Sequence, residues 1–258
     1  MFDCVLAFGN SHVAGFEITT PTPERGDMYM KGELSLEDLD SYNKHLAFPN
    51  IVAEHLEIPC YNYALTGGSN ERSMRLLPNA LLDHPNSLVL FCYAALDRNE
   101  IYYPDNDNTL GKDSDNYLQL GMQWYKGNHV PIDFKYLQKQ YPSKNPINTY
   151  YVENMLHPEA DNIKACNQMF YVEQACKNYA TGFRHLFLEK LFYNTDIPRI
   201  LSQALSKDKI ISFNGCEDNL GYGSYYEFGC NNFVRKEYGH FGIEAHQAVA
   251  DLIINTLY

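Results

Sequence analysis

Apolar residues fall into two rhythms along this chain: short unbroken runs that stop at glycine or polar turns, and longer stretches with helical spacing between them. Residues 4–8, Cys-Val-Leu-Ala-Phe, form the first run and predict a short buried strand, with Gly9-Asn10-Ser11 as its turn. Residues 48–56 place Ile51, Val52, His55 and Leu56 at helical spacing, and Pro59 ends that helix. Residues 61–65 predict a second strand, followed by the tight loop Thr66-Gly67-Gly68-Ser69-Asn70. Ser69 or Asn70 is suited to cap a helix through Met74, Leu77 and Leu81, and Pro78 within it predicts a kink or an early end. Residues 87–93, Ser-Leu-Val-Leu-Phe-Cys-Tyr, predict a third strand, apolar throughout as expected when both sheet faces are covered.

The pattern then loosens. Residues 19–43 are polar and read as an excursion from the core. Residues 98–158 are rich in Tyr, Asn, Asp and Pro with weak periodicity, and a bare loop of that length is improbable in a compact domain. They predict an inserted lid with some short helices. Its aromatics, among them Tyr102, Trp124 and Tyr150, suit either a sugar-stacking wall or a plug against water. Residues 162–193 predict a long helix burying Cys166, Met169, Phe170, Cys176, Tyr179 and Phe183. Residues 197–204 and 209–213 are strand candidates, the first fitting a parallel core better. Residues 215–235 are Gly-, Asn- and Tyr-rich and predict loop. Residues 241–257 predict a closing amphipathic helix using Ala245, Val249, Leu252 and Ile253. The β-α-β-α-β order implies one α/β domain over residues 1–258. The expected architecture is a three-layer α/β/α, flavodoxin-like fold with a parallel sheet, and ligands at the carboxyl ends of its strands.

Composition narrows the partners. The 258 residues are 45% hydrophobic and 14% aromatic, enough for a buried core, and the net charge of -12 argues against a nucleic-acid or anionic-membrane binder. Seven cysteines, an odd number without zinc-ligand spacing, predict reduced core thiols and no metal site. No transmembrane run is present. The first strand begins so near Met1 that no signal peptide is expected, which points to a reducing cytoplasm.

Two segments carry candidate chemistry. Ser11 sits on the turn after the first strand, and His240 lies in Gly239-His240-Phe241-Gly242 before the last helix. A serine hydroxyl attacks poorly until a positioned base takes its proton, and histidine is the usual base near neutral pH. Taken singly, Ser11 suits a helix cap and His240 a loop. A flavodoxin-like nucleotide binder shares the topology, but no Gly-rich phosphate cradle is present.

Taken together, the strand-end loops and the final helix resemble the SGNH (GDSL-type) hydrolase superfamily, nearest to divergent members encoded by bacteriophages. Gly9-Asn10-Ser11 stands where that family has Gly-Asp-Ser. The run from Pro59 to Ser69 is similar to its second block, with Gly67 on the oxyanion-donor position, and the preceding residues 48–56 are similar to its helix before that strand. Glu237-Tyr238-Gly239-His240 is similar to its last block, with Glu for the usual Asp. The third block departs: where the family has Gly-x-Asn-Asp, this chain has Ala94, Ala95, Leu96 and Asp97, and Leu96 donates no hydrogen bond.

The resemblance implies Ser11 as nucleophile, His240 as base and Glu237 as the acid orienting it, although Glu237 beside Arg235 and Lys236 equally suits a solvated charge. The Ser11 and Gly67 amides would face the oxyanion. Loss of the third-block Asn predicts a substitute donor from Asn70, Arg98 or Asn99. His12 is expected to line the pocket or support it, with Asp97 and Arg98 either paired internally or, through Arg98, facing an anionic substrate. His246 is expected to be a packed helix residue. The implied activity is an esterase or deacetylase acting on an acylated carbohydrate or small polar ester, without cofactor, nucleic-acid or membrane partner. The alternative is a catalytically impaired ligand-binding or virion-associated module of the same fold.

Overall fold

The computed structural model describes residues 2–16, 18, 19, 28, 38, 41–95, 98–102, 117–120, 155, 158–180, 182–188, 205–213, 223–236 and 240–258. Four parallel strands, β1 (Cys4–Phe8), β2 (Cys60–Asn62), β3 (Ser87–Tyr93) and β6 (Gly182–Phe187), form its sheet in the order β2-β1-β3-β6. β1 pairs on one side with β2 and on the other with β3, Leu6 lying opposite both Tyr61 and Val89. β6 adds to β3, from Leu88 opposite Gly182 to Tyr93 opposite Phe187. All residues of β1 and β3 are buried, because helices cover both faces. Leu6, Phe8, Val89 and Phe91 point to one face, under α3 (Asn70–Asp83) and α4 (Pro158–Tyr179). Val5, Ala7, Leu88 and Leu90 point to the other, under α2 (Phe48–His55), α5 (Tyr225–Asn232) and α6 (Ile243–Ile254). The fold is therefore a three-layer α/β/α arrangement around a parallel sheet.

Several elements differ from the sequence expectation. The second strand ends earlier as a ladder, at Asn62, although the Tyr63 and Leu65 amides still donate to the Ala7 and Gly9 carbonyls. α3 runs five residues beyond Pro78 rather than ending there, since Pro78 is exposed and Leu77, Ala80 and Leu81 anchor the helix in the core. The helix expected over residues 162–193 begins at Pro158 and stops at Tyr179; Phe183 belongs to β6, not to a helix. The segment Phe183-Arg184-His185-Leu186-Phe187 supports either conformation locally, and the open edge of β3 selects the strand. Residues 223–232, expected as loop, contain α5. Its start is a Ser-x-x-Glu capping box in which the Glu227 amide donates to Ser224 Oγ at 3.3 Å. Residues 209–213 contribute one parallel bridge, Ile210 to His185, while the 197–204 candidate lies outside the described residues.

In the region read as a lid with short helices, the described part is a two-stranded antiparallel ribbon, β4 (Asn99–Tyr102) with β5 (Tyr117–Leu120). It leaves the carboxyl end of β3 and is clasped to α3. Arg75 forks onto Glu100 at 2.9 and 3.1 Å and stacks 3.9 Å above the Tyr117 ring. The remainder, with Trp124 and Tyr150, lies outside the described residues, as does most of the 19–43 excursion.

Candidate active site at the carboxyl ends of the strands

The order β2-β1-β3-β6 reverses direction at β1, so the crevice of this sheet opens at the carboxyl ends of β1 and β3. β1 enters that crevice through Gly9, where a Cβ would lie 2.5 Å from Val13 Cγ2 and 3.1 Å from Cys92 Cβ. Only glycine permits this approach. The chain then turns into the four-residue helix α1 (Ser11–Ala14), capped by Asn10, whose Oδ1 accepts from the His12 amide at 3.0 Å. Asn10 thus holds the turn that presents Ser11.

Ser11 meets His240 directly. The Ser11 Oγ to His240 Nε2 distance is 2.7 Å across 229 positions of sequence. His240 is carried by a hairpin-like loop that the Lys236 amide closes by donating to the His240 carbonyl, reinforced by an Arg235–Phe241 bridge. Glu237, within that loop, lies outside the described residues, as do Leu96 and Asp97.

The second loop is tied to the first by the Leu65 amide donating to the Gly9 carbonyl at 3.3 Å. Asn62 reinforces the junction, its Nδ2 donating to the Val13 carbonyl at 2.8 Å. Gly67 has φ 75°, a left-handed conformation that favours glycine. Asn70 joins the second loop to the third. Its Nδ2 donates to the Ala94 carbonyl at 3.3 Å, and its Oδ1 accepts from the Ala94 amide at 2.8 Å. Asn70 is therefore a tether between loops, with one amide hydrogen already engaged. Arg98 is buried at 6% exposure beside that tether, its amide donating to the Ala95 carbonyl. Asn99 is on β4, and its Oδ1 accepts from the Glu100 amide.

Two further histidines near His240 differ in kind. His12 is 5% exposed with its ring 4.5 Å from that of His240. His246 is packed in α6, its Nδ1 accepting from the Phe48 amide at 3.2 Å. Burial, helped by the nearby His240, pushes His246 down to about 3, which keeps it the neutral acceptor this contact needs.

One buried polar cluster escaped sequence reasoning. Tyr93 hydroxyl lies 3.0 Å from His185 Nδ1, and His185 Nε2 lies 2.7 Å from Glu173 Oε2. Glu173 Oε1 also accepts from Ser206 and from Lys177 at 2.8 Å. The cluster ties α4, β3, β6 and residue 206 together beneath the third loop. Its members are scattered over 113 positions, and no local spacing announces them. Among the described residues no group of three or more potential ligands could hold a metal, the six cysteines are free, and no helix is long and apolar enough to cross a membrane.

No family model and no curated protein sequence matches the chain. Among solved structures it is similar to a carbohydrate esterase at 13% identity and a TM-score of 0.44, covering 98% of this chain and 67% of that one. It is also similar to a protein described as lipolytic, of the G-D-S-L family, from Desulfitobacterium hafniense DCB-2 (13% identity, TM-score 0.43, covering 98% and 99%). Phospholipase A1 from Streptomyces albidoflavus NA297 is a third (10%, 0.43, covering 100% and 98%). These neighbours are hydrolases. At such identities and scores the likeness transfers no residue role to this chain.

Proposed function

We propose that this chain is a serine hydrolase of the SGNH type, an esterase or deacetylase for an acylated carbohydrate or another small polar ester. The observation that carries the reading is the 2.7 Å contact between Ser11 Oγ and His240 Nε2 at the crevice of the sheet. With Nε2 accepting, His240 takes the Ser11 proton as Oγ attacks the ester carbonyl carbon. The oxyanion receives hydrogen bonds from the Ser11 and Gly67 amides, and Arg98 supplies the donor that Leu96 lacks. Collapse expels the alcohol, which takes the proton from Nε2 and leaves an acyl-serine. Water attacks that acyl group while His240 accepts its proton; the bond to Oγ then breaks, Nε2 returns that proton to Ser11 Oγ, and the carboxylic acid departs and ionises in solvent. Glu237 orients the imidazole. Balance requires only ester and water.

Fluorophosphonate labelling followed by intact-mass measurement tests this. A single adduct on the wild type, absent from Ser11→Ala and His240→Gln, is the expected result, with ester hydrolysis by Ser11→Ala reduced at least about 10³-fold. Absence of an adduct on natively folded wild type would move the protein to the alternative, a binding module with the same fold.

A further inference from the structure

The nucleophile turn does more than deliver Ser11. His12, the next residue, places its ring 4.5 Å from the His240 ring at an interplanar angle of 45°, and Phe16, five residues after Ser11, places its ring 5.1 Å from His240 at 69°. One segment therefore supplies the attacking hydroxyl and two rings against the imidazole. That segment is stiff: Asn10 Oδ1 holds the His12 amide, and the Phe16 amide donates to the Ser11 carbonyl at 2.9 Å. The His12 ring is wedged from behind by Tyr225 at 5.2 Å, edge to face, with Tyr226 and Phe241 at 6.0 and 6.2 Å. Tyr225 is itself fully buried between Phe48 and Phe241. A chain of edge-to-face and tilted ring contacts thus runs from α5 through His12 to His240.

We propose that His12 and Phe16 are positioning residues that form an aromatic seat for His240, fixing its ring plane so that Nε2 stays aimed at Ser11 Oγ. This rests on the hydrolase reading for its kinetic consequence, but the seat itself is a statement about the ring of His240. An imidazole on a loop otherwise samples several χ1 and χ2 wells, most of which carry Nε2 out of reach of Oγ. Ring contacts at these separations favour one well. The seat travels with the nucleophile, so movement of the Ser11 turn moves the base with it.

The test pairs NMR of ¹⁵N-histidine-labelled protein, with His240 signals assigned through His240→Gln, and steady-state kinetics on one ester. His12→Ala and Phe16→Ala are expected to displace or broaden the His240 ring signals. They should lower kcat by roughly three- to tenfold each with KM little changed, the size expected for one lost ring contact. His12→Phe, which keeps a flat ring, is expected to recover most of what His12→Ala loses in both readouts. Unchanged His240 signals in His12→Ala, or a His12→Phe protein as impaired as His12→Ala, would overturn the seat. If the wild type neither hydrolyses esters nor labels, yet the His240 signals respond as described, the seat stands and the hydrolase reading falls.

Discussion

Replacing Glu173 by Gln tests the buried cluster beneath the third loop with a magnitude that follows from the structure. The carboxylate side chain is fully buried. Burial alone would raise its pKa, but hydrogen bonds from His185, Lys177 and Ser206 overcome that and hold it down to about 2, against an ordinary 4.5. At about 1.4 kcal/mol per factor of ten in proton affinity, that gap is worth about 3 kcal/mol of folding stability. The folded pKa is the lower one, so this stability is fully present above pH 4.5 and is lost as pH falls through about 2. At pH 3, between the two values, roughly half of it remains. Gln keeps the volume and an acceptor oxygen but not the charge. Urea unfolding of wild type and Glu173→Gln should therefore differ by about 3 kcal/mol at pH 7 and by about half that at pH 3. His246 also erodes stability as pH falls below its ordinary range, because it is buried neutral with its pKa near 3. It is present in both proteins and cancels in the difference. A gap below about 1 kcal/mol at pH 7, or one that does not shrink with acid, would refute the argument.

Two further substitutions probe what holds the loops. Asn70→Ala strips both hydrogen bonds from Ala94 and is expected to cost about 2–4 kcal/mol, since a buried amide and carbonyl lose their partner; an unchanged melting temperature would mean that the second and third loops are not coupled through it. Pro78→Ala restores an N–H in the interior of α3 at an exposed position and is expected to add about 1–3 kcal/mol, read as a raised urea midpoint. No gain would indicate that the carbonyl one turn earlier is too far away to accept it.

β1 and β3 were legible residue for residue, because strands buried on both faces are written as unbroken apolar runs bounded by turns, a pattern few other structures share. The Ser69 cap and most of α6 were legible for the same local reason, since capping and helical spacing act within a few residues. Ser11 could be singled out as a residue on a strand-end turn. The sequence also contained the Ser224 capping box, but the Gly, Asn and Tyr around it obscured the signal, and α5 was missed.

Other features had no local signature. Phe183-Arg184-His185-Leu186-Phe187 became β6 because β3 offered an unpaired edge, so its conformation was decided by a partner some 90 residues away. The approach of His240 to Ser11, the tether from Asn70 to Ala94 and the Tyr93–His185–Glu173 cluster are all contacts between elements distant along the chain. Residue types allowed these contacts without specifying them. Each exists only once the sheet has set its strand order, because strand order determines which loops share one end. Sequence alone therefore determined the alternation of elements and the chemistry available on the β1 turn. The tertiary structure decided which base reaches that chemistry and which rings hold it, because hydrogen bonds and ring contacts depend on separations in space of a few ångströms, and the chain reports only separations along itself.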